Sequence, residues 1–253
     1  MTAAEPLASS LLQVQRHYRR EGFSVVKDFL QLELLEDVRL AVEAYNSVEI
    51  DYQRLNFDLR EAPDAALKLA RHPLLVQLVQ AVTRWAEGYL YDFNLFRKPA
   101  GAPPTPWHRD GDSLPIEGEL CTVWIPLESY DDALVYALGT NRLNPVDALC
   151  ESPDDLSRLL ESPSVRVCGV GAMRRGDVSV HNHRVWHMGP GNATSHFRQA
   201  IAFIYVPSGC RVQLNPVGFS LSSALPHRQS HLDSYFSGRE GINLSGHHLL
   251  RLF

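Results

Sequence analysis

Tyr89-Leu90-Tyr91-Asp92-Phe93-Asn94-Leu95-Phe96 marks the point where the chain changes texture. The segment mixes aromatic and aliphatic side chains, the composition of a strand packed on a pleated surface. Similar runs follow at Leu120 to Leu127, Ala133 to Leu138, Asp177 to His181 and Gln199 to Val206. Pro- and Gly-containing turns separate them. Short strands punctuated in this way predict a β-sandwich or jelly roll.

Ahead of Gly88 the pattern is helical. Ser9 or Ser10 suits the cap of a helix running to about Arg20, with Gly22 as its stop signal. Phe23 to Val26 reads as a short strand. Leu35, Val38, Val42 and Tyr45 recur at helical spacing, which predicts a helix over about Leu32 to Asn46. Glu49 to Pro63 is polar and irregular. Pro63 and Asp64 open another helix, and Pro73 suits the first turn of the next. Leu74, Leu75, Leu78, Val79, Val82 and Trp85 give that last helix an apolar face.

These readings predict one domain over residues 1–253, mainly β with flanking helices. Residues 1–10 are set apart as a disordered lead, the helical part covers about 9–87, and the jelly-roll core about 88–213. The helices would pack on one outer face of the sheets. Ser208 to Phe253 reads as loops and short elements.

The totals exclude several classes. Hydrophobic residues make up 45% and charged residues 21% of the chain, ordinary for a globular protein with a core. The net charge is −5 and no basic stripe stands out, which argues against a nucleic-acid partner. Cys121, Cys150, Cys168 and Cys210 form no C-x-x-C pair, so neither structural zinc nor a thioredoxin-like motif is indicated. Scattered reduced thiols fit a cytoplasmic protein. No apolar run is long enough to span a membrane. Met1 to Ser10 lacks the basic start and apolar core of a signal peptide. The oligomeric state is left open.

His108-Arg109-Asp110 is the first sign of chemistry. On an extended segment, side chains two apart share a face, so an imidazole and a carboxylate there can bind one metal ion. Two His plus one carboxylate, with positions left open, is the ligand set of non-haem iron(II) oxygenases. A second H-x-D, His231-Leu232-Asp233, has only His247 and His248 after it, too little chain for a sheet that returns a distant ligand. Far downstream of the first pair, Val178-Ser179-Val180-His181-Asn182-His183-Arg184-Val185-Trp186-His187 offers a third ligand. His181, His183 and His187 share strand parity, so alternation does not choose among them. His187 stands just before Gly189-Pro190-Gly191, at a strand end with room for a cosubstrate. Arg198 follows, at the start of the apolar strand Ala200 to Val206. Its planar, permanent charge suits the far carboxylate of 2-oxoglutarate.

The sequence resembles the phytanoyl-CoA dioxygenase family from about Tyr18 to Pro207. Glu21-Gly22-Phe23 and Val25-Val26 before Phe29-Leu30 resemble the family's opening strand and helix, and His72-Pro73-Leu74-Leu75 its next helix. Lys98-Pro99 and Trp107-His108-Arg109-Asp110 resemble its K-P…W-H-Q-D segment. Val123-Trp124-Ile125-Pro126-Leu127 resembles its V-W-I-P-L strand. Gly139-Thr140-Asn141-Arg142 stands where the family has G-S-H-R. Trp186-His187 through Asn192 to Arg198 resembles its H-G-S-G-P-N…R segment. Arg109 replaces the usual Gln, Gly189 replaces a Ser that helps hold the cosubstrate, and the usual E-N-G is absent, with Asp131-Asp132-Ala133 nearby.

The resemblance implies a double-stranded β-helix, Fe(II) held by His108, Asp110 and His187, and Arg198 gripping 2-oxoglutarate. It selects His187 over its two neighbours. Thr122, Asn94 and Lys98 are further candidate cosubstrate contacts. The implied activity uses O2, with ascorbate as a supporting reductant, and decarboxylates 2-oxoglutarate to succinate while hydroxylating an unactivated C–H bond. A carboxylate at Asp110 argues against the related halogenases, which have Gly or Ala there. Asp51 to Arg60 and Ser113 to Glu119 are candidate lids. Tyr52, Arg54, Asn56 and Trp124 are candidate substrate contacts. The expected substrate is a small natural-product-like molecule; an acyl-CoA or an amino acid is the alternative. A non-catalytic jelly roll, or a cupin-type metal protein without 2-oxoglutarate, is the competing class, and Arg198 argues against it.

Overall fold

The computed structural model describes residues 4–43, 53–57, 62–114, 116–144, 150, 152–212 and 250–253. The first third holds α1 (Ala4–Glu21), β1 (Phe23–Val26), α2 (Leu32–Glu43), β2 (Gln53–Phe57), α3 (Asp64–Ala70) and α4 (Pro73–Thr83). The remainder holds β3 (Gly88–Lys98), β4 (Thr105–His108), α5 (Asp110–Ser113), β5 (Ile116–Glu117), β6 (Cys121–Pro126), β7 (Val135–Leu138), α6 (Pro153–Glu161), β8 (Arg166–Gly169), β9 (Val178–Asn182), β10 (His187–Gly189), β11 (Arg198–Pro207), β12 (Arg211–Val212) and β13 (Leu250–Arg251).

Among the described residues two antiparallel sheets face each other as a double-stranded β-helix. The larger runs β1-β9-β6-β11-β3-β13, with β2 also paired to β3; the smaller runs β4-β10-β7-β8. β12 and β5 form a separate pair.

Strand alternation sorts the larger sheet into two faces. Val123 and Ile125, Ile201 and Phe203, Val178 and Val180, and Phe93 and Leu95 point outward and are fully buried against Leu35, Val38, Leu75, Leu78 and Val79 of the helices. The opposite parity points between the sheets. There Trp124, Ala200 and Ala202 pack with Tyr136, Leu134 and Tyr130. Burial on both faces explains why these strands read as near-continuous apolar runs.

Gly22 ends α1 and turns the chain into β1. Its φ is 91°, its N–H reaches the Tyr18 carbonyl at 2.9 Å, and a Cβ there would lie 2.6 Å from Val185 Cγ2. Only glycine combines that backbone with that contact.

Several elements depart from expectation. α1 begins at Ala4 and not at a Ser9 or Ser10 cap, so Ala4 to Ser10, set apart as disordered, are helical. Pro6 falls in the first turn, where its missing N–H costs no helical bond. α2 ends at Glu43, and Tyr45 and Asn46 lie outside the described residues. Gln53 to Phe57, read as part of an irregular lid, is a strand paired to β3 from Arg97 to Phe93. Pairing to an existing sheet edge decides this polar segment, and composition gave no sign of it. The other candidate lid, Ser113 to Glu119, contributes β5. α6 was not foreseen; Ser152 caps it by accepting from the Asp155 N–H at 3.2 Å. No helix among the described residues is long and apolar enough to cross a membrane. All four cysteines are free, and three of them are buried.

Candidate metal centre

β4 ends at His108, and the chain turns at once into α5, which places Asp110 at its start. β10 begins at His187 and pairs with β4 so that His187 and His108 are register partners. One ladder contact therefore brings the two imidazoles together, with ring centroids 4.1 Å apart. Asp110 Oδ1 lies 3.8 Å from His108 Nε2 and 3.9 Å from His187 Nε2. All three side chains are buried, and one ligand atom from each falls within 4.8 Å of the others.

Backbone carbonyls fix both tautomers. His108 Nδ1–H donates to the Pro106 carbonyl at 2.8 Å, and His187 Nδ1–H donates to the Val185 carbonyl at 3.1 Å. A carbonyl only accepts, so Nδ1 carries the proton and each Nε2 lone pair faces Asp110. Burial pushes the His187 imidazolium well below the usual range, reinforced by the charges of His108 and His181. Burial opposes the Asp110 charge, but the His181 hydrogen bond and the surrounding imidazoles outweigh it and hold the carboxyl well below the usual carboxylate range. The centre therefore offers neutral nitrogen donors and one carboxylate oxygen, a donor set that fits a ferrous ion.

Asp110 Oδ2 is engaged elsewhere. The Thr122 hydroxyl donates to it at 2.5 Å and His181 Nε2–H at 3.1 Å. Behind His181, the Tyr136 hydroxyl lies 3.0 Å from Nδ1 and 3.0 Å from Ser179 Oγ. Tyr136 is fully buried and stacks on Phe23 with centroids 4.1 Å apart. Burial pushes its phenol far above the usual range, so it stays protonated.

Of the three histidines that compete in the sequence, His187 completes the triad and His181 holds the carboxylate. His183 follows the end of β9, and its Nδ1 lies against the Leu120 backbone, 3.2 Å from the N–H and 3.3 Å from the carbonyl oxygen. Arg109, in the place of the family's Gln, is buried; its Nε donates to Asp112 at 2.7 Å and its guanidinium lies 5.2 Å from the Trp186 ring centroid. Asp112 thus balances the departure locally.

A cavity opens from the triad between the sheets, about 670 Å³ counting solvent at its mouth. Phe96, Trp124, Tyr130 and Leu134 line its apolar wall, and Asn94, Lys98, Thr105 and Thr122 contribute polar groups. Lys98 Nζ donates to the carbonyls of Gly189 at 3.0 Å and Pro190 at 2.7 Å. Burial, and then the Arg198 charge, lower its ammonium to about 8. Arg198 stands behind Tyr130 and Pro190, which line the cavity. Its guanidinium carbon is 4.6 Å from the Tyr130 centroid, and its terminal nitrogen donates to the Gly191 carbonyl at 2.7 Å. Arg198 Nε is buried without a hydrogen-bond partner among the described residues. The buried Lys98 ammonium at this end of the cavity suits a carboxylate, and Arg198 adds its charge from behind the wall.

The remaining expected site residues sort differently. Asn94 lines the cavity, but its amide donates to Asp92 at 3.1 Å. The Thr122 hydroxyl goes to Asp110. Arg54 and Asn56 sit on β2, in register with Phe96 and Asn94. Tyr52 lies outside the described residues, as do His231, Asp233, His247 and His248. His181 as a partner of Asp110, with Tyr136 behind it, was missed. Its inward parity with Ser179 was a signal, but the sheet register that sets it beside Thr122 was not legible.

The family model for phytanoyl-CoA dioxygenase (PhyH) matches residues 18–200. The chain belongs to the phytanoyl-CoA dioxygenase family. As a member with this triad, it is a non-haem iron, 2-oxoglutarate-dependent enzyme. The fold of this PhyH protein is similar to that of the non-heme alpha ketoglutarate dependent carbocyclase SnoK from nogalamycin biosynthesis. The TM-score is 0.78 at 20% identity, covering 95% of this chain and 96% of that one. It is also similar to the epimerase SnoN in complex with Fe3+, alpha ketoglutarate and nogalamycin RO, with a TM-score of 0.75 at 19% identity over 97% of this chain and 100% of that one. EvdO2 from Micromonospora carbonacea var. aurantiaca, complexed with 2-oxoglutarate, is more distant at a TM-score of 0.61 and 18% identity over 81% and 93%. No curated protein matches the sequence.

Proposed function

We propose that this PhyH-family protein hydroxylates an unactivated C–H bond of a small, natural-product-like molecule. The balance is substrate–H + 2-oxoglutarate + O2 → substrate–OH + succinate + CO2. The observation that carries the reading is the pairing of a buried two-His, one-carboxylate face with the Lys98 ammonium across one cavity, Arg198 standing behind its wall. When bound, the metal and cosubstrate supply the oxidising chemistry.

The protein's own residues do the positioning. His108 Nε2, His187 Nε2 and Asp110 Oδ1 hold the ion on one face and leave the cavity side open. Lys98 Nζ would receive the far carboxylate of 2-oxoglutarate, with Arg198 adding its charge from behind Tyr130 and Pro190. Tyr130 and Pro190 shield that charge pair, and Trp124, Phe96 and Leu134 keep the interior dry. Asn94 presents a polar group to the substrate or cosubstrate.

A second reading rests on the full-length neighbours. SnoK and SnoN are described as a carbocyclase and an epimerase. Ring closure and stereochemical inversion are therefore the competing outcomes at the same centre. A metabolite panel incubated with protein, Fe(II), 2-oxoglutarate, ascorbate and air separates them by product mass. A gain of one oxygen supports hydroxylation, a loss of two hydrogens supports ring closure, and an unchanged mass with altered retention supports epimerisation. Failure of the protein to convert 2-oxoglutarate to succinate with any substrate would sink the reading.

A further inference from the structure

We infer that Thr122 and His181 form a two-donor clamp that restricts Asp110 to one-oxygen coordination of its metal ion. The inference rests on the metal-centre reading above and goes beyond it by assigning roles to two residues outside the triad.

The asymmetry of the carboxylate is the starting point. Oδ1 lies 3.8 Å from His108 Nε2 and 3.9 Å from His187 Nε2. Oδ2 accepts both donors, Thr122 at 2.5 Å and His181 at 3.1 Å. Simple satisfaction of a buried carboxylate would be met by donors on either oxygen. Here the Thr122 and His181 donors fall on the oxygen other than the one nearest the His108 and His187 Nε2 atoms.

The sheet builds the clamp. Thr122 on β6 and His181 on β9 are register partners, and both have inward parity. Directly opposed residues on one face bring their side chains together, and Asp110 enters between them from the smaller sheet. The clamp is braced from behind. Asp110 is ionised and only accepts, so His181 Nε2 carries the proton. Its Nδ1 lies 3.0 Å from the Tyr136 hydroxyl, which lies 3.0 Å from Ser179 Oγ. Every ring in this chain is buried.

The consequence is a coordination count. A facial triad with single-oxygen carboxylate binding leaves three positions of an octahedron open. A cosubstrate that chelates through two atoms would take two of these and leave one. A carboxylate swinging to bind through both oxygens would take that last position, and doing so here requires breaking two charge-assisted hydrogen bonds. Thr122 and His181 are positioning residues that act through Asp110.

The test is a cobalt(II) titration of the full-length metal-free protein, read by visible absorption alone and then with 2-oxoglutarate. Thr122→Val differs by one hydroxyl, and Thr122→Ser restores it. His181→Leu removes the N–H donor, and His181→Gln restores one. Partners of metal ligands typically contribute about 10-fold to 100-fold in metal affinity. Thr122→Val and His181→Leu are each expected to weaken cobalt binding by about 10-fold and to change the cobalt band. Thr122→Ser and His181→Gln are expected to recover most of both. The metal-free melting temperature separates this from a structural role, which would lower stability and leave metal affinity and spectrum alone. Thr122→Val with wild-type affinity and an unchanged cobalt spectrum overturns the clamp. His108→Ala serves as the control. If it loses cobalt while Thr122→Val does not, the clamp alone fails; if it binds cobalt as the wild type does, the metal-centre reading fails with it.

Discussion

His108 and His187 sit directly opposite one another in the β4–β10 ladder, although they are far apart in the chain. Side chains alternate along a strand, so a slip of one residue in either strand would send its ring to the other face and part the pair. Register and metal binding are therefore one specification. His187→Ala is expected to abolish tight Fe(II) binding, whereas His183→Asn retains it within a few-fold, because His183 turns to the Leu120 backbone. Anaerobic Fe(II) titration checks both. Tight binding by His187→Ala would mean that the triad is misassigned.

The strands of the core were legible because both of their faces are buried, so Tyr89 to Phe96, Leu120 to Leu127 and Gln199 to Val206 stand out as apolar runs. The metal pair was legible because His108 and Asp110 are local. What bring the rest together are register relationships, and these leave no trace in composition. Thr122 faces His181 only because β6 and β9 pair as they do, and Gln53 to Phe57 is a strand only because β3 offers an edge. The direction of the Arg198 guanidinium, behind Tyr130 and not on the cavity wall, likewise follows from packing.

With Lys98 as the proposed cosubstrate contact, cosubstrate binding is expected to depend on pH. Its ammonium is lowered to about 8 by burial and by Arg198. Below that value it is charged and binds the carboxylate; above it the charge is lost unless the anion restores it. Affinity for 2-oxoglutarate is expected to be flat below about pH 8 and to fall by up to about tenfold per unit above it. Lys98→Met is expected to bind about 10-fold to 100-fold more weakly, the scale of one charge-assisted hydrogen bond, and to show no such fall. Calorimetric titration on either side of that value decides it. A pH-independent wild type would remove Lys98 from the contact set.

Gly189 stands where related sequences place a cosubstrate-binding Ser. A Cβ there would meet Lys98 Nζ and Thr105 Oγ1 at 3.4 Å, and both are side-chain ends that can adjust. Gly189→Ser is expected to fold normally and to tighten 2-oxoglutarate binding by about 3-fold to 10-fold, the net value of one hydrogen bond. Weaker binding, with the melting temperature unchanged, would show that the cosubstrate carboxylate does not approach this position.

Asp110→Gly removes the one carboxylate ligand and, with it, the acceptor for Thr122 and His181. Hydroxylation is expected to disappear while the fold survives, since the cavity is already open to solvent beside the triad. Product analysis with and without chloride reads the outcome. Full hydroxylation by this variant would contradict the centre described above.

His183 couples stability to pH. Burial pushes its imidazolium down from an ordinary 6.5 to about 4, and its Nδ1 lies against the Leu120 backbone. Above about pH 6.5 both folded and unfolded chains hold it neutral, and its contribution is fully present. As pH falls from there toward 4, the unfolded chain takes up a proton that the folded one refuses, so stability is lost. The loss approaches about 3 kcal/mol by the lower end, at about 1.4 kcal/mol per pH unit. His183→Asn keeps a hydrogen-bonding group for the Leu120 backbone and removes the titration. Urea denaturation of the metal-free proteins at several values across this window is expected to give a steep decline for the wild type and a shallower one for the variant. The residual slope comes from the other groups lowered by folding, His187 and the carboxylates Glu36, Asp110 and Asp177. Equal slopes would place the acid sensitivity outside His183.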